Sequence, residues 1–81
     1  MIDLLIIDDE RAARFGMKKA LSRKDYNILE AENGLHALEI LQQKKIEIAF
    51  LDLNMPGLQG MDVLEKINRL SSPPLVIIVT A

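Results

Sequence analysis

The stretch Leu4-Leu5-Ile6-Ile7-Asp8-Asp9-Glu10 sets four consecutive apolar residues directly against three consecutive acids, and its reading decides the fold. Four apolar residues without alternation describe a strand covered on both faces, as in a parallel sheet flanked by helices. The same pattern recurs in Ile48-Ala49-Phe50-Leu51, which runs into Asp52, and in Leu75-Val76-Ile77-Ile78-Val79, which runs into Thr80. A weaker strand, Asn27 to Ala31, alternates so that Ile28 faces opposite to Leu29, as suits an edge.

Between these runs lie three segments with helical i, i+3, i+4 apolar spacing. The first runs from Glu10 to Arg23 with Ala13, Met17, Ala20 and Leu21 on one face. The second, Leu35 to Lys44, places Ala37, Leu38 and Leu41 inward, and the third, Met61 to Leu70, turns Met61, Leu64, Ile67 and Leu70 to the sheet. Asn33-Gly34, Met55-Pro56-Gly57 and Ser71-Ser72-Pro73-Pro74 punctuate the pattern; Gly34 supplies a turn, and Gly57 and Gly60 the bend between Asp52 and the third helix. The order β-α-β-α-β-α-β, joined by right-handed crossovers, predicts a doubly wound α/β layout with helices on both faces of a mostly parallel sheet.

A chain of 81 residues sets a ceiling of one small domain. With 49% hydrophobic and 27% charged residues, it is too apolar for disorder and is expected to fold around a core. A net charge of −2 provides no excess of cations for phosphates or anionic lipids, so no direct nucleic-acid partner and no membrane are expected. Without cysteine, any metal is held by oxygen or by His36, and His36 reads as a solvated helix position away from the acids. The apolar runs fall far short of the roughly 20 residues of a membrane span, and no basic leader precedes the first, so a cytoplasmic location is the expectation. No Gly-x-Gly-x-x-Gly or Gly-x-x-x-x-Gly-Lys-Ser/Thr is present, which disfavours a nucleotide enzyme. The pairs Lys18-Lys19 and Lys44-Lys45 read as solvated faces.

In a parallel sheet the carboxyl ends of all strands share one edge, so Asp8 and Asp9, Asp52, and Thr80 are expected along it. If the first and third strands are neighbours, their backbones lie about 4.8 Å apart and the acids of both converge. That edge, where strand order reverses, is where open α/β sheets bind ligands. Three carboxylates there repel one another unless a cation or protons intervene. Mg²⁺ suits them, being commonly held by one or two carboxylates plus a phosphate oxygen. Asp52, alone at its strand end, is the candidate nucleophile towards a phosphoryl group, and Asp8 and Asp9 are the metal-holding pair. Taken singly, Asp9 reads equally as a helix cap, Asp52 as the start of a turn, and Thr80 as a β-branched strand end. The coincidence of three strand ends favours a site.

These residues resemble the receiver domain of two-component response regulators. Ile6-Ile7-Asp8-Asp9-Glu10 is similar to the acidic first-strand signature of that family, and Ala31-Glu32-Asn33-Gly34 with Ala37-Leu38 to its second-strand segment. Leu51-Asp52-Leu53-Asn54-Met55-Pro56, with Gly60 and Leu64, resembles the phosphoacceptor loop, and Val76-Ile77-Ile78-Val79-Thr80-Ala81 the fourth strand with its switch hydroxyl. The resemblance implies a flavodoxin-like sheet of order 2-1-3-4 and a phosphoacceptor at Asp52. It implies Mg²⁺ bound directly by Asp9 and Asp52, by the backbone carbonyl of Asn54, and through water by Asp8. It also implies a sensor histidine kinase or phosphotransfer protein as donor, and Thr80 as the hydroxyl that turns to the phosphoryl group. Such a module is not an enzyme beyond assisting its own phosphorylation and dephosphorylation.

The family continues with a fourth helix, a fifth strand ending in lysine, and a fifth helix, so residues 1–81 are expected to form a partial receiver domain of four strands and three helices. No lysine here matches the missing one, and impaired phosphotransfer is expected. The fourth strand then becomes a hydrophobic edge and one sheet face beside the first helix is bared, which predicts self-association. Two other classes compete: an assembly domain with a vestigial acidic site, and an aspartyl-phosphate hydrolase. The latter generally has an acid two residues past its nucleophile, where this chain has Asn54.

Overall fold

The computed structural model describes residues 1–55 and 60–79. Its elements are β1 (Ile2–Ile7), α1 (Arg11–Ala20), β2 (Tyr26–Ala31), α2 (Gly34–Gln43), β3 (Ile48–Leu51), α3 (Gly60–Asn68) and β4 (Leu75–Ile78). The four strands form one parallel sheet in the order β2-β1-β3-β4, as the family resemblance implies. In that order β2 and β4 are the edge strands among the described residues, and β1 and β3 are central.

Alternation along the strands divides the apolar residues between two layers. Leu5, Ile7, Ala49 and Leu51 share a core with Ala37 of α2 and with Val63 and Ile67 of α3, and Ile46, Met55 and Ala31 close it. Leu4 and Ile6 point to the other face, where α1 packs on β1, and both are buried. Helix α1 covers only part of that face. The row Glu30–Ile6–Phe50–Ile77 crosses all four strands, and it passes from buried Ile6 to half-buried Phe50 and exposed Ile77. Next to it, Leu75 is 65% exposed and Phe15 of α1 is 66% exposed, so the β3–β4 half of this face is apolar and bare among the described residues.

Three details of the sequence reading are corrected. Helix α1 ends at Ala20 instead of Arg23, and Ala20 is exposed while Ala13, Met17 and Leu21 are half-buried. The cause is register: Tyr26 must pair with Ile2, and the reversal that brings it there uses Ser22 to Asp25, with the Tyr26 N–H donating to the Arg23 carbonyl at 3.2 Å. Leu64 and Ile67 of helix α3, with Leu70 just after it, lie against the core as expected, but Met61 is 61% exposed and Gly60 and Val63 are buried instead. Gly60 is buried at the start of the helix. A Cβ there would run into the backbone of Leu53, so the helix begins pressed against that segment and Met61 points away. Gly60 thus serves close approach, while Gly57, assigned to the same bend, lies outside the described residues. Third, Asp9 does not cap α1: the N-cap position is Glu10, and its side chain makes no capping bond. By contrast, the Asn33 side chain caps α2 by accepting from the His36 N–H at 2.8 Å.

Gly16 sits inside α1 with nothing within 4 Å of the place a Cβ would occupy. Gly16→Ala therefore adds no clash and removes the backbone freedom of glycine from the unfolded chain. A gain of about 0.5–1 kcal/mol is expected. A urea midpoint equal to or below that of the parent would show that α1 needs the glycine.

Candidate functional site

Parallel pairing of β1 with β3 matches Ile7 to Leu51, so the next residue on each strand, Asp8 and Asp52, reaches the carboxyl edge side by side. The backbone ladder extends past both. The Asp52 N–H donates to the Ile7 carbonyl at 3.0 Å, the Asp8 N–H to the Ala31 carbonyl at 3.1 Å, and the Val79 N–H to the Leu51 carbonyl at 2.9 Å. These bonds hold the strand ends rigidly while the side chains above them form a cluster. Asp8, Asp9 and Asp52 each offer a carboxylate oxygen within 4.8 Å of the other two.

The three acids are not equivalent. Asp8 is 9% exposed, Asp52 is half-buried and Asp9 is open to solvent. The Asp8 Oδ1 accepts from the Glu10 N–H at 2.9 Å, which fixes the turn leaving β1. The Asp52 Oδ1 accepts from the Asn54 N–H at 3.0 Å, which orients its carboxylate in the same way at the end of β3. Burial raises the Asp8 pKa above the ordinary 3.8; the Glu10 N–H works against this, the neighbouring Asp52 and Asp9 charges add to it, and Arg14 opposes it.

A raised carboxyl pKa means that the folded protein binds this proton more tightly than the unfolded chain. Stability of the metal-free protein therefore falls as pH rises from near 3.8 through the raised value, and levels off above it. Asp8→Asn, which keeps an acceptor for the Glu10 N–H, is expected to raise the urea midpoint at neutral pH in the presence of chelator. An unchanged midpoint would show that the buried charge carries no cost.

Around the acids lies a cleft of about 430 Å³ walled by Glu10, Ala13 and Met17 on one side, and by Asn54 and Val79 on the other. Ala13 and Met17, placed by the sequence reading on one face of the first helix, are half-buried and line this cleft. That reading did not single out Glu10 as a residue lining the cleft. The signal was its place directly after the Asp8-Asp9 pair, at the N-cap of the helix whose Ala13 and Met17 line the same cleft. Among the described residues that line the cleft none is cationic, so the carboxylates meet no compensating side-chain charge inside it. His36 is exposed on α2 and does not join the cluster, as expected. Thr80, the fifth sequence-predicted site residue, lies outside the described residues.

A family model described as the response regulator receiver domain matches residues 4–81. The chain is 31% identical over 78 residues to sporulation initiation phosphotransferase F of Bacillus subtilis, covering 96% of this chain and 63% of that protein. It is 39% identical over 83 residues to the positive alginate biosynthesis regulatory protein of Pseudomonas aeruginosa, covering 99% of this chain and 34% of that one. It thus spans less than two thirds of the length of either relative. Among solved structures, it superposes on the response regulator TrrA of Thermotoga maritima in complex with Mg²⁺ and BeF with a TM-score of 0.92 and 33% identity, covering 100% of this chain and 70% of that one. A complex of TrrA with the histidine kinase ThkA gives a TM-score of 0.90 at 33% identity, covering 100% of this chain and 70% of the matched chain.

Proposed function

Because this chain belongs to the response regulator receiver family of two-component signalling, we propose that it accepts a phosphoryl group on Asp52 from a phosphohistidine of a sensor histidine kinase or phosphotransfer protein. The observation that carries this reading is the convergence of Asp8, Asp9 and Asp52 from two adjacent strand ends, with oxygens within 4.8 Å. The donor set is all oxygen, concentrated and short of positive charge, which fits a hard divalent cation and Mg²⁺ in particular. Asp8, Asp9, Asp52 and the backbone carbonyl of Asn54 would hold it. Bound there, Mg²⁺ supplies the positive charge that lets a phosphoryl group approach three acids.

The protein's own residues do the rest. An Asp52 oxygen attacks phosphorus, the P–N bond to the donor imidazole breaks, and the departing imidazole keeps the electron pair and takes a proton. The Asn54 N–H holds the Asp52 Oδ1, so Oδ2 is presented as the nucleophile. Asn54 carries no exchangeable acid function at the position where a hydrolase needs one, which favours a lasting adduct over turnover. Thr80, at the sequence position that resembles the family's switch hydroxyl, supplies the hydroxyl that reports the phosphoryl group to the rest of the domain. Intact mass after incubation with acetyl phosphate and Mg²⁺ tests the reading: one phosphoryl group per chain is expected. No adduct, together with steady hydrolysis of a phosphomonoester, would support the hydrolase instead.

The bare apolar face favours a second property of the 81-residue chain, self-association through β4. Leu75, Ile77 and Ile78 are exposed on a strand whose outer edge has no partner among the described residues, and Val79 just after it is exposed too. Sedimentation is expected to show dimers or larger species at tens of micromolar, and Ile77→Lys is expected to shift them to monomer. A compact monomer for the parent chain would end this reading.

A further inference from the structure

Resting on that reading of the acidic site, we infer that Arg14 is a positioning residue for the metal-holding pair. Its guanidinium lies outside the cleft, beneath the end of β1, and its side chain is only 12% exposed. Nη1 donates to the backbone carbonyl of Asp8 at 2.7 Å, and Nε donates to the Glu30 Oε1 on β2 at 3.2 Å. The Asp8 carbonyl belongs to the peptide group that joins Asp8 to Asp9. Since a peptide group is planar, holding that one oxygen fixes the plane from which both acids depart.

Three attachments converge on Asp8. The Asp8 N–H is held by the Ala31 carbonyl at 3.1 Å, the Asp8 carboxylate by the Glu10 N–H at 2.9 Å, and the carbonyl by Arg14. Without Arg14 the part-buried Asp8 carbonyl would lose this donor. Glu30 in turn fixes Arg14. It stands opposite Ile6 in the β1–β2 register, and its second oxygen meets the Lys18 Nζ at 3.5 Å, one helical turn beyond Arg14 on α1. The guanidinium therefore ties α1, β1 and β2 together at the point where the two acids project. Arginine alone can bridge in this way: two donors of one rigid plane serve two acceptors, whereas a lysine ammonium is a single point on a flexible stem. Its charge also lies beside the acidic cluster without occupying a ligand position.

Outer partners that orient metal ligands are typically worth roughly 10–100-fold in metal affinity. Titration of the whole chain with Mg²⁺, read by Asp8 and Asp9 amide resonances, is therefore expected to show Arg14→Ala binding about tenfold more weakly than the parent. Arg14→Lys is expected to recover part of that loss, and Glu30→Gln, which weakens the anchor of Arg14 along with the Lys18 pair, to show a smaller loss in the same direction. Urea unfolding measured alongside separates the roles, since a merely structural arginine would lower stability and leave the affinity of the folded fraction unchanged. Arg14→Ala and Glu30→Gln affinities both within about twofold of the parent would overturn the inference. A parent chain that binds no Mg²⁺, or an Asp52→Asn chain that binds as well as the parent, would instead show that the metal-site reading itself is wrong.

Discussion

An Asp52→Asn chain is expected to gain no phosphoryl group under conditions in which the parent gains one. Asparagine keeps the size of the side chain and the oxygen that accepts from the Asn54 N–H at 3.0 Å, so β3 and its turn are preserved. What is lost is the carboxylate nucleophile, because an amide oxygen does not form a stable acyl phosphate under these conditions. Removing one of three clustered negative charges also relieves repulsion, so the metal-free variant should be no less stable than the parent at neutral pH. Absence of an adduct then cannot be blamed on unfolding. Chelating the metal from the parent should slow adduct formation on the order of 100-fold or more, since metal stabilisation of transferring phosphoryl oxygens is worth several kcal/mol. An equal yield of adduct on Asp52→Asn would place the nucleophile elsewhere in the cleft, with Asp9 as the exposed alternative.

The second large effect is on stability. Leu51 is fully buried, pairs with Ile7 on one side and Ile78 on the other, and immediately precedes Asp52. Leu51→Ala removes its contacts with the α2–α3 layer and leaves a cavity under the site, at a cost of about 2–5 kcal/mol. An 81-residue domain has a total stability of order 4–12 kcal/mol at about 0.05–0.15 kcal/mol per residue, so much of the fold is at stake. Leu75→Ala, by contrast, trims an exposed leucine and should stay within about 0.5 kcal/mol. Urea unfolding of the two variants checks the pair. Equal losses would mean that the core does not lie where Leu5, Ile7, Leu51, Val63 and Ile67 place it.

The exposed surface of β4 follows from the same packing. A continuous apolar run announces burial on both faces, yet Leu75, Ile77 and Ile78 are exposed while the equally apolar Leu4 to Ile7 are buried. The difference is neighbours: β1 has a strand on either side, and β4 pairs only with β3 among the described residues. A local pattern states what a segment requires and is silent on what surrounds it.

Helix faces show the limit in another form. Spacing in the third helix sets Met61 in one inward stripe with Leu64, Ile67 and Leu70. In the structure the rest of that stripe packs inward, but Met61 is exposed and Val63 buried where the helix begins with Gly60 pressed against the Leu53 backbone. Arg14 was hidden for the same reason. Within its helix it is one cation among several, and only the assembled sheet brings the Asp8 carbonyl and Glu30 to its two donors.

The order of residues along the chain was enough to dictate the layout: strands closed by acids, amphipathic helices between them, and hence acids gathered on one edge of a parallel sheet. Those features are local, written in runs and spacings a few residues long. Packing in three dimensions was needed to choose which acid is buried and has its pKa raised, which residue at the start of α3 faces inward, and which charged side chain holds the acid pair in place. Each of these depends on groups distant in sequence meeting within a few ångströms, and burial, Coulomb interaction and hydrogen bonding act only at that range.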